Sequence, residues 1–169
     1  MASITRGRVW VTEEAEAKEL ASRGFGEENE GKLTLSPEEA MFLKEKRPSF
    51  PVADGKKEYD FDGLMKVFTR LDKEFPRKYI VFHDLRNQGY VVKTGFKFGT
   101  HYRVYGRGVK PGEAHAIWLV HVVPEDFKCD FHTFSGKVRL AQNVRKKMVY
   151  AVVDKESSIT YYKIERFSP

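Results

Sequence analysis

The 169-residue sequence predicts a mixed α/β (α+β) protein of two domains. Three observations carry that expectation. Helix-capping signals and short apolar strands alternate through the first half. Runs of β-branched and aromatic residues separated by glycine turns dominate the second. The formal charge also changes sign between them: up to Phe75 there are 13 Lys and Arg against 16 Asp and Glu, and from Pro76 onward 17 against 8. The expected division is a small mixed α/β N-terminal domain over 1–75 and a C-terminal α/β domain over 76–169 with a mixed, largely antiparallel sheet. An acid-leaning scaffold ahead of a basic half points the second half towards a polyanion.

Taken in order, residues 8–11 read as a strand, and Thr12 is placed to cap a helix that Gly24 stops. Residues 26–31 read as a polar loop and 32–35 as a strand. Ser36-Pro37-Glu38-Glu39 is a capping box with proline at the first helical position, opening a helix towards Lys46. Residues 47–55 read as a proline-containing loop, and Asp60 caps a helix through Lys73. Pro76 marks the domain boundary and starts a helix over 77–88, with Tyr79, Phe82 and Leu85 on one face and Gly89 at its end. Strands follow at 90–93, 97–106 and 116–123, with turns at Thr94-Gly95 and Pro111-Gly112. Phe134, Val138 and Ala141 recur at helical spacing in a segment ending near Lys146. Strands at 148–153 and 159–167 close the chain.

Composition narrows the function class. Hydrophobic residues make up 41% and aromatic residues 14%, which is globular rather than disordered. No apolar run approaches the ~20 residues of a membrane span, and the first residues turn acidic where a secretion signal needs an apolar stretch. A soluble, cytoplasmic protein is expected. The single cysteine, Cys129, leaves no internal disulfide and no multi-cysteine metal set, and an inert, partly buried thiol is its expected state.

Two basic stretches stand out. Between Asp84 and Glu113 there is no acid, while Arg86, Lys93, Lys97, Arg103, Arg107 and Lys110 interleave with Tyr90, Phe96, Phe98, Tyr102 and Tyr105. The run GKVRLAQNVRKK adds Lys137, Arg139, Arg145, Lys146 and Lys147. Clustered cations suit phosphates, and aromatic or guanidinium planes suit unpaired bases. A solvated charged face is the plain alternative. The eight acids of the second half are scattered, so a two-metal nuclease is disfavoured and no metal or other cofactor is expected. Metal-free cleavage of RNA needs a base for the 2′-hydroxyl, an acid for the departing oxygen and a cation for the phosphate. Histidine, tyrosine and lysine cover those tasks. His115 opens the apolar strand, where by spacing alone it reads first as an ordinary surface turn residue. Tyr105 stands at a strand end, a common rim position, and Lys146 stands where a lysine often just complements a helix terminus.

The stretches YVVKTGFKFGTHYRVYGRG, HAIWLVHVV, VRLAQNVRKKMVYAVVD and ITYYKIERF resemble, in order, successive motifs of the archaeal tRNA-splicing endonucleases, homotetrameric type. The resemblance implies a restriction-endonuclease-like C-terminal domain and an accessory N-terminal one. It implies excision of introns from precursor tRNA at bulge-helix-bulge sites, leaving 2′,3′-cyclic phosphate and 5′-hydroxyl ends. It assigns Tyr105 as general base, His115 as general acid and Lys146 as the stabilising cation. Arg139 and Arg166 correspond to arginines that pin a flipped base. Glu125 and Asp126 correspond to the acidic loop through which subunits join into a homotetramer, though both also suit a plain hairpin turn. A non-catalytic RNA-binding subunit of such a complex is the alternative from another class.

Overall fold

The computed structural model describes residues 2–5, 7–109 and 112–169, so Lys110 and Pro111, expected in a basic stretch and a turn, lie outside it. The chain divides into two compact units, Met1–Tyr79 and Ile80–Pro169. The first turn of the helix that spans this division packs within the first unit: Phe75 places its ring 5.2 Å from Phe68, and Tyr79 lies 6.1 Å from Phe61.

In the first unit the strands are β1 (Ala2–Thr5), β2 (Arg8–Val11), β3 (Glu27–Asn29), β4 (Lys32–Leu35), β5 (Val52–Asp54) and β6 (Lys57–Glu58). They form one sheet in the order β3-β4-β2-β1-β5-β6, antiparallel except where β1 lies parallel to β5. Helices α1 (Glu14–Ser22), α2 (Pro37–Lys46) and α3 (Phe61–Leu71) supply Leu20, Met41, Leu43, Leu64 and Phe68 to a core shared with Val9, Val11 and Leu35. The start of α2 follows the local code. The Ser36 hydroxyl accepts from the Glu39 N–H, and the Glu39 carboxylate accepts from the Ser36 N–H. Asp60 caps α3 by one such bond, its carboxylate accepting from the Gly63 N–H at 2.8 Å.

Three expectations for this unit need correction. Thr12 is not the cap of α1; Glu13 holds that position without a side-chain cap bond. Residues 26–31 are not a loop but contain β3, joined to β4 by Glu30 and Gly31, both at positive φ as a two-residue hairpin turn requires. Residues 47–55 contain β5, which pairs with the distant β1 and so has no local signature.

The second unit is a five-stranded sheet in the order β11-β10-β9-β8-β7. Its strands are β7 (Tyr90–Thr94), β8 (Tyr102–Arg107), β9 (Trp118–Pro124), β10 (Lys147–Val153) and β11 (Ile159–Ile164). Only β9 and β10 run parallel, joined by helix α5 (Phe131–Asn143), which Asp130 caps. Leu119, Val123, Met148 and Tyr150 meet Val138 and Ala141 of α5 on one face of the sheet. On the other face Tyr102 packs 5.9 Å from Phe82 of the helix α4 (Phe75–Asn87). Three strand expectations shorten: residues 97–101 do not extend β8, since Phe96–Phe98 is a 3-10 turn, β9 begins at Trp118 rather than at Ala116, and β11 ends at Ile164 rather than at Phe167. Cys129 is exposed, contrary to the expected partly buried thiol.

Candidate active site

Strand register brings the three candidate residues to one rim. In the antiparallel pair, Arg103 faces Leu119 and Val104 faces Trp118, so Tyr105 falls beside Ile117. In the parallel pair, Lys147 aligns with Trp118 and Met148 with Leu119, so Lys146 falls on the other side of Ile117. Hydrogen bonds continue the ladder there, from the Ile117 N–H to the Val104 carbonyl at 2.8 Å and from the Lys147 N–H to the Ile117 carbonyl at 3.0 Å. Side chains alternate along strands. Because Leu119 and Met148 face α5, Tyr105 and Lys146 share that face, whereas Lys147 takes the opposite one. With strands about 4.8 Å apart, the Tyr105 and Lys146 backbones stand roughly 10 Å apart. His115 lies just before Ile117 in an extended approach to β9 and is exposed.

The three side chains sit in different surroundings. Tyr105 is 7% exposed and packs with Val91, Ala116 and Val109, so its ring is held in place. Lys146 is set by the end of α5. Its N–H bonds to the Ala141 carbonyl at 2.8 Å, and the Arg145 N–H bonds to the Gln142 carbonyl at 2.9 Å. Arg145 has φ 57°. Paired bonds with a left-handed residue are the Schellman helix stop, where glycine is usual. Lys146 therefore lies beyond the helix in the turn entering β10. Its ammonium donates to the Val144 carbonyl at 3.2 Å and stands 5.5 Å from the centre of the Phe98 ring. Lys147, on the opposite face, bonds instead to Glu165 at 3.3 Å.

A groove of about 570 Å³ adjoins Lys146, lined by Arg139, Gln142, Arg145 and Arg166 among others. The structure thus brings both arginine candidates to one concavity with Lys146. The Gln142 amide donates to the Arg166 carbonyl at 3.4 Å, tying the end of the chain to α5. Lys147 and Glu165, paired with each other, border the same groove, so five cations against one carboxylate give a field suited to a phosphate backbone.

Glu125 and Asp126 form the turn after β9, and Glu125 lies 3.8 Å from Lys155. Next to them Phe127 packs against His121, which stacks on His101 with centroids 4.6 Å apart. The Tyr150 hydroxyl beneath is pushed up to about 12, by burial first and then by Cys129. At the sheet edge, Tyr162 of β11 is 53% exposed and Phe167 is 83% exposed. Tyr161 donates to Asp84 at 2.6 Å, and burial together with that carboxylate raises its phenol well above the usual range. Sequence reasoning counted Phe98 only as one aromatic among several. The usable signal was the pair of glycines around Phe-Lys-Phe, which folds the segment back over the sheet.

Comparison with known proteins fits this architecture. A family model for the tRNA intron endonuclease catalytic C-terminal domain matches residues 75–161, and one for the N-terminal domain of the same enzymes matches residues 2–65. The class is therefore the two-domain endonuclease architecture, a mixed α/β pair with a largely antiparallel sheet in each half. The chain belongs to the tRNA intron endonuclease family. It is similar to the tRNA-splicing endonucleases of Thermococcus onnurineus, at 46% identity over 85% of this chain and 81% of that protein, and of Thermococcus kodakarensis, at 43% over 96% and 95%. The tRNA-splicing endonuclease of Methanococcus vannielii is 34% identical over 95% of this chain and 90% of its own. Among the described residues no helix is long and apolar enough to cross a membrane.

Proposed function

We propose that this protein excises introns from precursor tRNA by metal-independent cleavage at bulge-helix-bulge sites, with residues 76–169 catalytic and 1–75 accessory. The observation that carries the reading is the register: Tyr105 of β8, the approach to β9 bearing His115, and Lys146 in the turn entering β10 lie side by side at one end of the sheet, with a cationic groove beside Lys146. Tyr105 accepts the proton of the 2′-hydroxyl, or orients that group. The 2′-oxygen attacks phosphorus as the bond to the 5′-oxygen breaks. His115 gives its proton to that leaving oxygen, and the products are a 2′,3′-cyclic phosphate and a 5′-hydroxyl. Lys146 offsets the charge that builds on the phosphate, and Arg139 and Arg166 hold a displaced base. The rival reading, a non-catalytic RNA-binding subunit, would have no use for the tyrosine, histidine and lysine together on this rim.

Self-association into a homotetramer belongs to the same proposal. The edge strand β11 leaves Tyr162 outward, an edge that a second copy would cover. Glu125 and Asp126 form an exposed acidic turn able to enter a basic groove of another copy. The test is cleavage of a bulge-helix-bulge RNA in EDTA by the native chain and by His115→Ala. The native chain is expected to cut and the variant to lose about 10²- to 10⁴-fold in rate. Loss of native activity in EDTA would overturn the metal-free route, and full activity in the variant would overturn the role of His115.

A further inference from the structure

We infer that Phe98 is a positioning residue: its ring face holds the Lys146 ammonium on the rim without a counter-carboxylate. The inference rests on the proposed role of Lys146. The ammonium lies 5.5 Å from the ring centre, inside the ~6 Å range of a cation–π contact. The ring itself is fixed. Phe98 packs against the core beneath α5, its N–H bonds to the Gly95 carbonyl at 2.9 Å, and the Gly99 carbonyl next to it accepts from Lys137 at 2.8 Å. Gly95 cannot be replaced without moving this turn. A Cβ there would stand 2.5 Å from the Thr100 hydroxyl and 2.9 Å from the Tyr102 carbonyl carbon.

The reason for an aromatic partner lies in what the lysine must do. A carboxylate would hold the ammonium as firmly, as Glu165 holds Lys147, but it would repel the incoming phosphate and cancel the field the lysine supplies. A ring face attracts the cation and carries no net charge. Phe98 lies within the acid-free stretch between Asp84 and Glu113, and among the described residues no carboxylate forms an ion pair with Lys146. The turn Phe96–Phe98 therefore works as a neutral cradle that keeps the ammonium placed and available.

The test uses the full chain and a bulge-helix-bulge RNA under single-turnover conditions. Phe98→Leu keeps apolar bulk on the core but removes the π face, and should slow the maximal rate about 2- to 30-fold, with half-saturation unchanged. Phe98→Tyr keeps the face and should restore the native rate. In a Lys146→Met background the same leucine substitution should add no further loss. The upfield ring-current shift of the Lys146 side-chain methylene resonances should disappear in Phe98→Leu, a readout independent of activity. Equal rates for native and Phe98→Leu, equal losses in the leucine and tyrosine variants, or an undiminished loss in the Lys146→Met background would each overturn the inference. If Lys146→Met slows cleavage while Phe98→Leu does not, only the cradle fails. If Lys146→Met cuts at the native rate, the role proposed for the lysine fails and the cradle with it.

Discussion

Lys146 and Lys147 are neighbours in sequence and opposites in space, so alanine at each makes a stringent comparison. Lys146 shares its sheet face with Tyr105, while Lys147 turns to the other face and pairs with Glu165. A unit charge about 4 Å from a phosphate oxygen, at the effective dielectric of ~20 typical near a protein surface, contributes about 4 kcal/mol. If the phosphate gains roughly one charge in the transition state, losing Lys146 should slow cleavage about 10³-fold. Lys147 also borders the groove, but its ammonium is held by Glu165, which offsets most of its charge, so its loss should slow cleavage far less than the loss of Lys146. The pair with Glu165 is half exposed and screened by solvent, so breaking it should barely change stability. Single-turnover cleavage with excess enzyme in EDTA separates the two variants. A Lys146→Ala rate within tenfold of native, or a Lys147→Ala loss as large as that of Lys146→Ala, would refute the assignment of faces to functions.

Three further outcomes follow from particular contacts. Met148 is fully buried in the core between β10 and α5, so Met148→Ala should lower unfolding free energy by about 2–5 kcal/mol in urea titration; a change under ~1 kcal/mol would contradict the packing described. The Arg47 guanidinium, seconded by Arg23, holds the Glu19 carboxyl at about 2 against an ordinary 4.5. A depressed carboxyl stabilises the fold above its unfolded value, and that contribution is lost as pH falls from 4.5 towards 2. Glu19→Gln should therefore lose less stability than the native chain between pH 5 and pH 3, and an equal loss in both would contradict the pairing. Reversing Glu125 and Asp126 to lysine together should shift sedimentation of the purified chain to a smaller species while circular dichroism stays native. An unchanged species would remove the acidic turn from the assembly.

What the sequence made legible was mostly local chemistry. Ser36 with Glu39, and Asp60 with Gly63, close hydrogen bonds within three residues, so the starts of α2 and α3 can be read without knowing the fold. The parallel strand β5 could not be read that way, since it is three residues long and depends on β1 far earlier in the chain. Residues 97–101 look like strand by composition, yet the close packing at Gly95 and the left-handed Gly99 fold them into a turn. The helix α5 starts earlier than its apolar spacing suggests because Asp130 caps it before Phe134, and it stops before Lys146 because Arg145 takes the left-handed conformation. The candidate residues came from motif order, whereas their common rim depends on register between three strands, which spacing along the chain does not encode. The contact between Lys146 and Phe98 lies further still from the sequence, because it requires a turn to fold back across a sheet face.

The central claim is that the RNA's own 2′-hydroxyl is the nucleophile and that protein side chains alone move the protons and stabilise the charge. The most direct measurement uses a bulge-helix-bulge RNA with a single 2′-deoxy nucleotide on the 5′ side of the scissile phosphate, incubated with the native chain in EDTA, with end-group analysis of the products. The expected result is cleavage of the all-ribose substrate to 2′,3′-cyclic phosphate and 5′-hydroxyl ends, and no cleavage at the deoxy site. Cutting at the deoxy site, or a 5′-phosphate on the downstream product, would contradict it.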